Sequence, residues 1–535
     1  MIFPEVVIRF FRNEAEPAPK SGRRPETAIR PDGGSLSPVS LAKRTADNIL
    51  WKGGSTSIVT VWTFVVLAVL ANILEPSDFG LRGIILIMMG LLTLLADMGL
   101  GAAIVHERTV SREQFSTVFF LNVGVGFVLA ATMFFGSKAL AAFFQEERLG
   151  PILKVMSLAF VICSFGSMFM ALLQKKLDFK TRSKIEIAEA LTSGVSSIVF
   201  ALLGRGVWSI VYGYILGAFL RVVLLWISAD MRPAWFFRLG EVRSFLKFGV
   251  YVLGEQIVGF TSQNLDNIIV GRFLGMEALG YYSLAYSLML TPAWKISDSV
   301  TRVIFPTFAL IRDDNARIRD GYLRVLKFIA LATFPIMAGM FAVSRSLIAS
   351  VYGAKWLPAA AVLEVFCIVG AIQSILSTTS AVQYAKGRSD LSFKLNFVAL
   401  IGNLVAFFVG VRYGIMGVAI AFTIWTVILS PVIQGITNRL VQLGARAFLG
   451  AFKIQAAGSL AIIAAVLGLR ELVGKPMHFP PLIDLLVSAA AGVAVYGLVV
   501  LWKGRGLLKE LADLLRGSLR GGGKESPAEA PAGVA

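Results

Sequence analysis

Little in this chain of 535 residues offers covalent or metal chemistry. It has two cysteines, Cys163 and Cys367, each inside an apolar run, so no disulfide framework exists and both read as small buried hydrophobes. Its two histidines, His106 and His478, stand far apart without ligand-like neighbours, which argues against a metal site. There is no GxxxxGK[ST] loop, so direct use of ATP has no phosphate cradle. Charged residues are 16% of the chain, against about 25% in soluble domains.

What is abundant is apolar. Hydrophobic residues make up 56% of the chain and the mean hydropathy is +0.74, values that exclude an ordinary soluble domain. Between Trp51 and Trp502 about fourteen apolar runs of about twenty residues are each long enough to span a bilayer. They cover 51–74, 83–105, 115–137, 151–173, 185–204, 207–228, 248–271, 278–301, 323–344, 357–382, 391–411, 415–437, 451–469 and 482–502. The expected fold is an all-α polytopic membrane protein. The net charge of +18 does not point to nucleic acid, because the Lys and Arg lie in the breaks between spans. Breaks after even-numbered spans hold about 23 of them and breaks after odd-numbered spans about 10, which places both termini in the cytoplasm. Residues 1–44, rich in Pro, Arg and Ser, read as a disordered tail. Residues 503–535 read as an amphipathic surface helix, with Leu507, Leu511, Leu514 and Leu515 on one stripe, then a disordered end.

The break Leu74-Glu75-Pro76-Ser77-Asp78-Phe79-Gly80 returns two hundred residues on as Leu274-Gly275-Met276-Glu277-Ala278-Leu279-Gly280, with the same Leu and Gly spacing. A duplication follows: a six-helix lobe over 45–228, a basic cytoplasmic linker at 229–247, a second six-helix lobe over 248–440, and an additional helix pair over 441–502. Six spans per half make the repeats parallel, with a transport site between the halves near the midplane.

Ionisable residues inside spans are costly, so each is a functional candidate. Lys295, Asp298 and Arg302 form one charged stripe on span eight, where an internal ion pair leaves one cation over for an anionic headgroup; Pro292 just upstream is expected to bend the helix. Arg221, deep in span six, has no acid in its own helix. Arg82 and Arg272 sit near span ends, where interfacial anchoring is the simpler reading. Asp97, Asp266, Glu255 and Glu364 are candidates for exchanging a coupling ion, H⁺ or Na⁺, with structural pairing to cations as the alternative. Span seven adds Gln256, Gln263, Asn264 and Asn267, too polar a set for a lipid-facing helix.

Six stretches, three in each half, carry a resemblance. Leu74 to Gly80, Ala96-Asp97-Met98-Gly99-Leu100-Gly101 and Gln114 to Asn122 in the first half, with Asn264 to Gly275, Leu279-Gly280-Tyr281-Tyr282 and Arg302-Val303-Ile304-Phe305-Pro306 in the second, resemble the colanic-acid-exporter branch of the polysaccharide transporters. These are Wzx-like O-unit flippases of the multidrug/oligosaccharidyl-lipid/polysaccharide superfamily, and the likeness covers about 45–440. It implies a V-shaped pair of six-helix lobes around a cationic cavity. The implied substrate is an undecaprenyl-diphosphate-linked oligosaccharide, moved across the bacterial inner membrane by alternating access without a cofactor. The headgroup would meet Lys295, Arg302 and Arg221, and polysaccharide polymerase and glycosyltransferases are the expected partners. A multidrug antiporter of the same superfamily is the nearest alternative. A membrane-embedded glycan polymerase is disfavoured, because the longest external breaks, 138–150 and 470–481, are too short to carry its catalytic groups.

Overall fold

The computed structural model describes residues 38–97, 104, 111–238, 243–474 and 479–503. The tail up to residue 37, both histidines, the end of the linker at 239–242 and the C-terminal stretch from residue 504 lie outside the described residues. So do the side chains of Asp97, Glu255, Asp298 and Arg302. Among the described residues every regular element is a helix, and eleven helical segments are long and apolar enough to cross a membrane.

The first six long helices are α1 (Pro38–Ile73), α2 (Pro76–Asp97), α3 (Arg112–Phe144), α4 (Leu149–Lys175), α5 (Phe179–Leu202) and α6 (Trp208–Ile227). Helix α1 therefore starts several residues inside the tail expected to be unstructured. Then come α7 (Arg243–Leu310), α8 (Asn315–Val351), α9 (Pro358–Leu376), the short α10 (Thr379–Ala385), α11 (Ser389–Gly410) and α12 (Gly414–Leu440). A short α13 (Ala445–Gly450) precedes the last pair, α14 (Lys453–Leu469) and α15 (Pro481–Lys503).

The starts of these helices are written in their polar residues. Ser111 and Gln114 form a reciprocal capping box before α3, each side chain bonded to the other's backbone N–H at 3.1 Å. The side chains of Asp178 and Asp314 each accept the N–H three residues on, at 3.0 Å, and so begin α5 and α8. Helix α7 is two arms broken at Gly275, whose φ of 86° and ψ of 176° only glycine adopts without strain. The chain keeps helical angles through Pro292, where a bend had been expected.

Packing falls into two groups, α1–α6 and α7–α12, which share one hydrophobic core where they meet along α2 and α7. The duplicated turns face each other at this meeting. A Cβ added at Gly80 would overlap the Met276 carbonyl oxygen, and one at Gly280 would overlap the Pro76 carbonyl oxygen, so each glycine seats the other repeat's backbone. Around them Asn72 Nδ2 donates to the Val351 carbonyl at 2.8 Å, Lys355 Nζ to the Leu74 carbonyl at 2.6 Å and Trp356 Nε1 to the Ala71 carbonyl at 2.9 Å. The Phe79 ring meets Trp356 edge-on at 4.7 Å. This end of the molecule is sealed. Helices α14 and α15 lie outside both groups against α8, where Tyr496 donates to the Leu331 carbonyl at 2.9 Å.

Candidate functional site

A cavity of about 800 Å³ lies where α2 meets α7 and α9–α12. It reaches from Arg82 and Gly83, close beneath the sealed turns, to Gln383 and Ser392 near the opposite end of the helices. The second arm of α7 lines it at Leu290, Ala293, Ser297 and Thr301, positions three or four apart that share one helical face. The first arm contributes Gln263, Asn264, Asp266 and Asn267, which explains why a bilayer helix carries so many amides. Gln256, two turns earlier, is exposed.

Most of the polar lining is uncharged. Ser262, Ser283, Ser287, Gln373, Asn396 and Asn403 present hydroxyls and amides, interleaved with the rings of Phe260, Tyr286, Phe407 and Phe422. Asp266 is the acid in this lining, and both of its oxygens are engaged. Oδ1 accepts from the Asn267 backbone N–H at 2.8 Å and side-chain amide at 3.1 Å, and Oδ2 accepts from the Tyr282 hydroxyl at 3.0 Å. Asp266 is 4% exposed, so these bonds are what makes its burial tolerable.

The cations sit differently from the sequence-based expectation. Lys295 is exposed and stands roughly 140° around the helix from the cavity-lining face of α7, so it is not brought into this cavity. Arg221 is not a surplus cation. Glu189 of α5 pairs with it at 3.0 Å, and its guanidinium also reaches Cys163 Sγ of α4 at 3.1 Å, a three-helix contact inside the first group. The missing acid came from a neighbouring helix, which inspection of α6 alone could not show. Glu364 lies outside the main cavity too, in a second pocket of about 650 Å³ with Arg345, Arg470, Glu471 and Asp484. There it accepts from Ser344 Oγ at 2.6 Å, and Arg470 pairs with Asp484 at 3.3 Å.

Among the described residues, the cation that does line the main cavity is Arg82, which had been assigned to interfacial anchoring. It begins only six residues into α2, close to a helix end, and helix ends of membrane proteins usually meet water. Here that end is covered by the second repeat's turn. Arg272 holds its guanidinium over the Phe143 ring at 5.5 Å, with Nη1 buried and without a hydrogen-bond partner among the described residues.

Comparison with known proteins agrees with this architecture. Residues 69–361 match the family described as polysaccharide biosynthesis protein. The chain is 30% identical over 407 residues to the lipopolysaccharide biosynthesis protein WzxC of Escherichia coli (strain K12), covering 74% of this chain and 83% of that one. It is 32% identical over 393 residues to the teichuronic acid biosynthesis protein TuaB of Bacillus subtilis (strain 168), covering 73% and 81%. In fold it resembles the inward closed conformation of the lipid II flippase MurJ, with a TM-score of 0.71 at 16% identity over 86% of this chain and all of that one.

Proposed function

The chain belongs to the polysaccharide biosynthesis protein family, and from that premise we propose that it carries lipid-linked oligosaccharide repeat units across the bacterial inner membrane by alternating access. The observation that carries this reading is the cavity where α2 of the first repeat meets α7 and α9–α12 of the second, lined with hydroxyls and amides and sealed at one end. A glycan and its diphosphate cannot cross about 30 Å of hydrocarbon alone, because each polar group would lose its water without replacement. The side chains of the cavity replace those bonds while the prenyl chain remains in lipid.

The Lys and Arg bias of the breaks supports a periplasmic sealed end and cytoplasmic termini. The state described here is then loaded from inside, and export requires the duplicated turns to part. Polymerase and glycosyltransferases are the partners such a carrier implies. A coupling ion, H⁺ or Na⁺, would compete for Asp266 by displacing the Tyr282 or Asn267 bonds. An extruder of cationic drugs fits less well, since it calls for an acidic, aromatic site, whereas Asp266, the one acid among the described residues that line this cavity, accepts hydrogen bonds at both oxygens.

Deletion of the gene tests the proposal. Lipid-linked repeat units should accumulate on the cytoplasmic leaflet, surface polysaccharide should fall, and the wild-type gene should reverse both. Normal export in the deletion strain with no accumulation would contradict it.

A further inference from the structure

The second pocket, of about 650 Å³, holds charge that the main cavity does not use. It lies between α8, α9 and the outlying pair α14–α15, and it shares no lining residue with the main cavity. Among the described residues its walls carry the cations Arg345 and Arg470 and the acids Glu364, Glu471 and Asp484. Arg470 and Asp484 neutralise each other at 3.3 Å, Arg470 also donates to the Ala342 carbonyl at 3.1 Å, and Asp484 accepts from Ser346 Oγ. Glu471 is engaged as well. That leaves Arg345 of α8, with no ion pair or hydrogen bond among the described residues, and Glu364 of α9. Glu364 Oε1 takes the Ser344 hydroxyl, whereas Oε2 has no partner among those residues. Although Arg345 and Glu364 line one pocket, they do not pair with each other.

Their depth says what can lie between them. Arg345 stands six residues before Val351, whose carbonyl belongs to the seal, and Glu364 six residues after Pro358, so each is about 9 Å of helix rise from the sealed end. Both charges are therefore closer to the headgroup layer of that leaflet than to the centre of the about 30 Å hydrocarbon core. Because α14 and α15 lie outside both helix groups, the pocket borders lipid. Unpaired charge beside lipid is costly and marks a bound partner, and here the partner must offer both signs. We infer that the pocket holds the headgroup of a phosphatidylethanolamine-type lipid from the leaflet at the sealed end. Its phosphate diester accepts from the Arg345 guanidinium, and the ammonium at the other end of the ethanolamine donates to Glu364 Oε2. Phe341, Leu467 and Phe479 cover the glycerol and the first methylenes. A choline headgroup lacks the N–H donor that Glu364 needs, and a glycerol headgroup lacks the cation, so the site separates the three. The pocket is apart from the cargo cavity, and the inference stands or falls independently of the flippase reading.

The test uses the full-length chain purified in detergent, with phosphatidylethanolamine, phosphatidylcholine and phosphatidylglycerol of identical acyl chains, and soluble glycerophosphoethanolamine as a fourth probe. Native mass spectrometry counts the bound molecules across a titration. Wild type should bind the ethanolamine lipid about tenfold more tightly than the other two lipids, the size of one hydrogen-bonded charge contact, and should unfold at a higher temperature in its presence. Arg345→Gln and Glu364→Gln should each bring its affinity down to that of the choline lipid and remove the thermal shift. Thermal unfolding without lipid checks that both variants are folded. An ethanolamine preference that survives in either variant overturns the assignment, as does equal binding of the three lipids by wild type. If the glycerol lipid binds most tightly and depends on Arg345 alone, the pocket takes an anionic headgroup and the zwitterion assignment is wrong. If glycerophosphoethanolamine binds as tightly as the lipid, the acyl chains add nothing and the occupant is not a membrane lipid.

Discussion

At the scale of single residues, the membrane makes pairing decisive. Arg221 and Glu189 are 27% and 26% exposed in their side chains, enough burial that losing one partner strands the other. Glu189→Ala should destabilise the protein by about 1–2 kcal/mol, below the about 3–5 kcal/mol of a fully buried pair, and Glu189→Ala with Arg221→Leu should recover much of it. Thermal unfolding in detergent reads both, and additive losses would mean the two side chains act independently. Beyond the spans, the Arg148 guanidinium hydrogen-bonds Glu146 at 2.8 Å and holds its carboxyl below the usual range. The folded pKa is thus depressed, so the contribution is present above the unfolded pKa and disappears as pH falls through the folded one. Arg148 is 49% exposed, so removing the pair with Glu146→Gln, which leaves the Arg148–Asp78 contact in place, should cost at most about 0.5 kcal/mol at pH 7 and less as pH falls through the folded pKa. The sequence made Arg221 a candidate because its charge was visible, but not its partner. It hid Arg82 for the opposite reason, since six residues from a helix start looks like an interface until another turn is seen to cover it.

At the scale of elements, the duplicated turn was legible from spacing alone. What the spacing did not say is that the two copies pack on each other. Gly80 and Gly280 exist there because each lies against the other repeat's carbonyl, and even a methyl has no room. Gly80→Ala or Gly280→Ala should therefore push the sealed end apart and shift the population toward a state open at that end. Spin labels at Ser77 and the exposed Ala354 should report a longer distance in either variant, whereas Gly124→Ala, with nothing within 4 Å of its Cβ, should leave it unchanged. Unchanged distances in the two gate variants would show that these turns are not the moving contact. The break in α7 falls at Gly275, inside the break expected between spans 248–271 and 278–301, whereas helical angles continue through Pro292, where a bend was expected.

At the scale of the whole molecule, hydropathy and repeat were enough to reveal a two-group helical transporter, because a bilayer permits few other arrangements of such a chain. The cavity's chemistry was harder to read. Charge drew attention to span eight, whereas the polar lining is built from Ser, Thr, Asn and Gln, residues that look unremarkable one at a time and acquire meaning only when α7, α9, α10 and α11 bring them to one space. The central claim is that this space carries a glycan through the membrane. The most direct measurement reconstitutes the purified chain in liposomes with a prenyl-diphosphate-linked oligosaccharide and adds an impermeant glycosidase outside. Without protein, the inner-leaflet half of the lipid should stay protected; with protein, nearly all of it should become cleavable. Protection equal to that of protein-free liposomes, under conditions where the chain is folded and the deletion strain is complemented, would contradict the account.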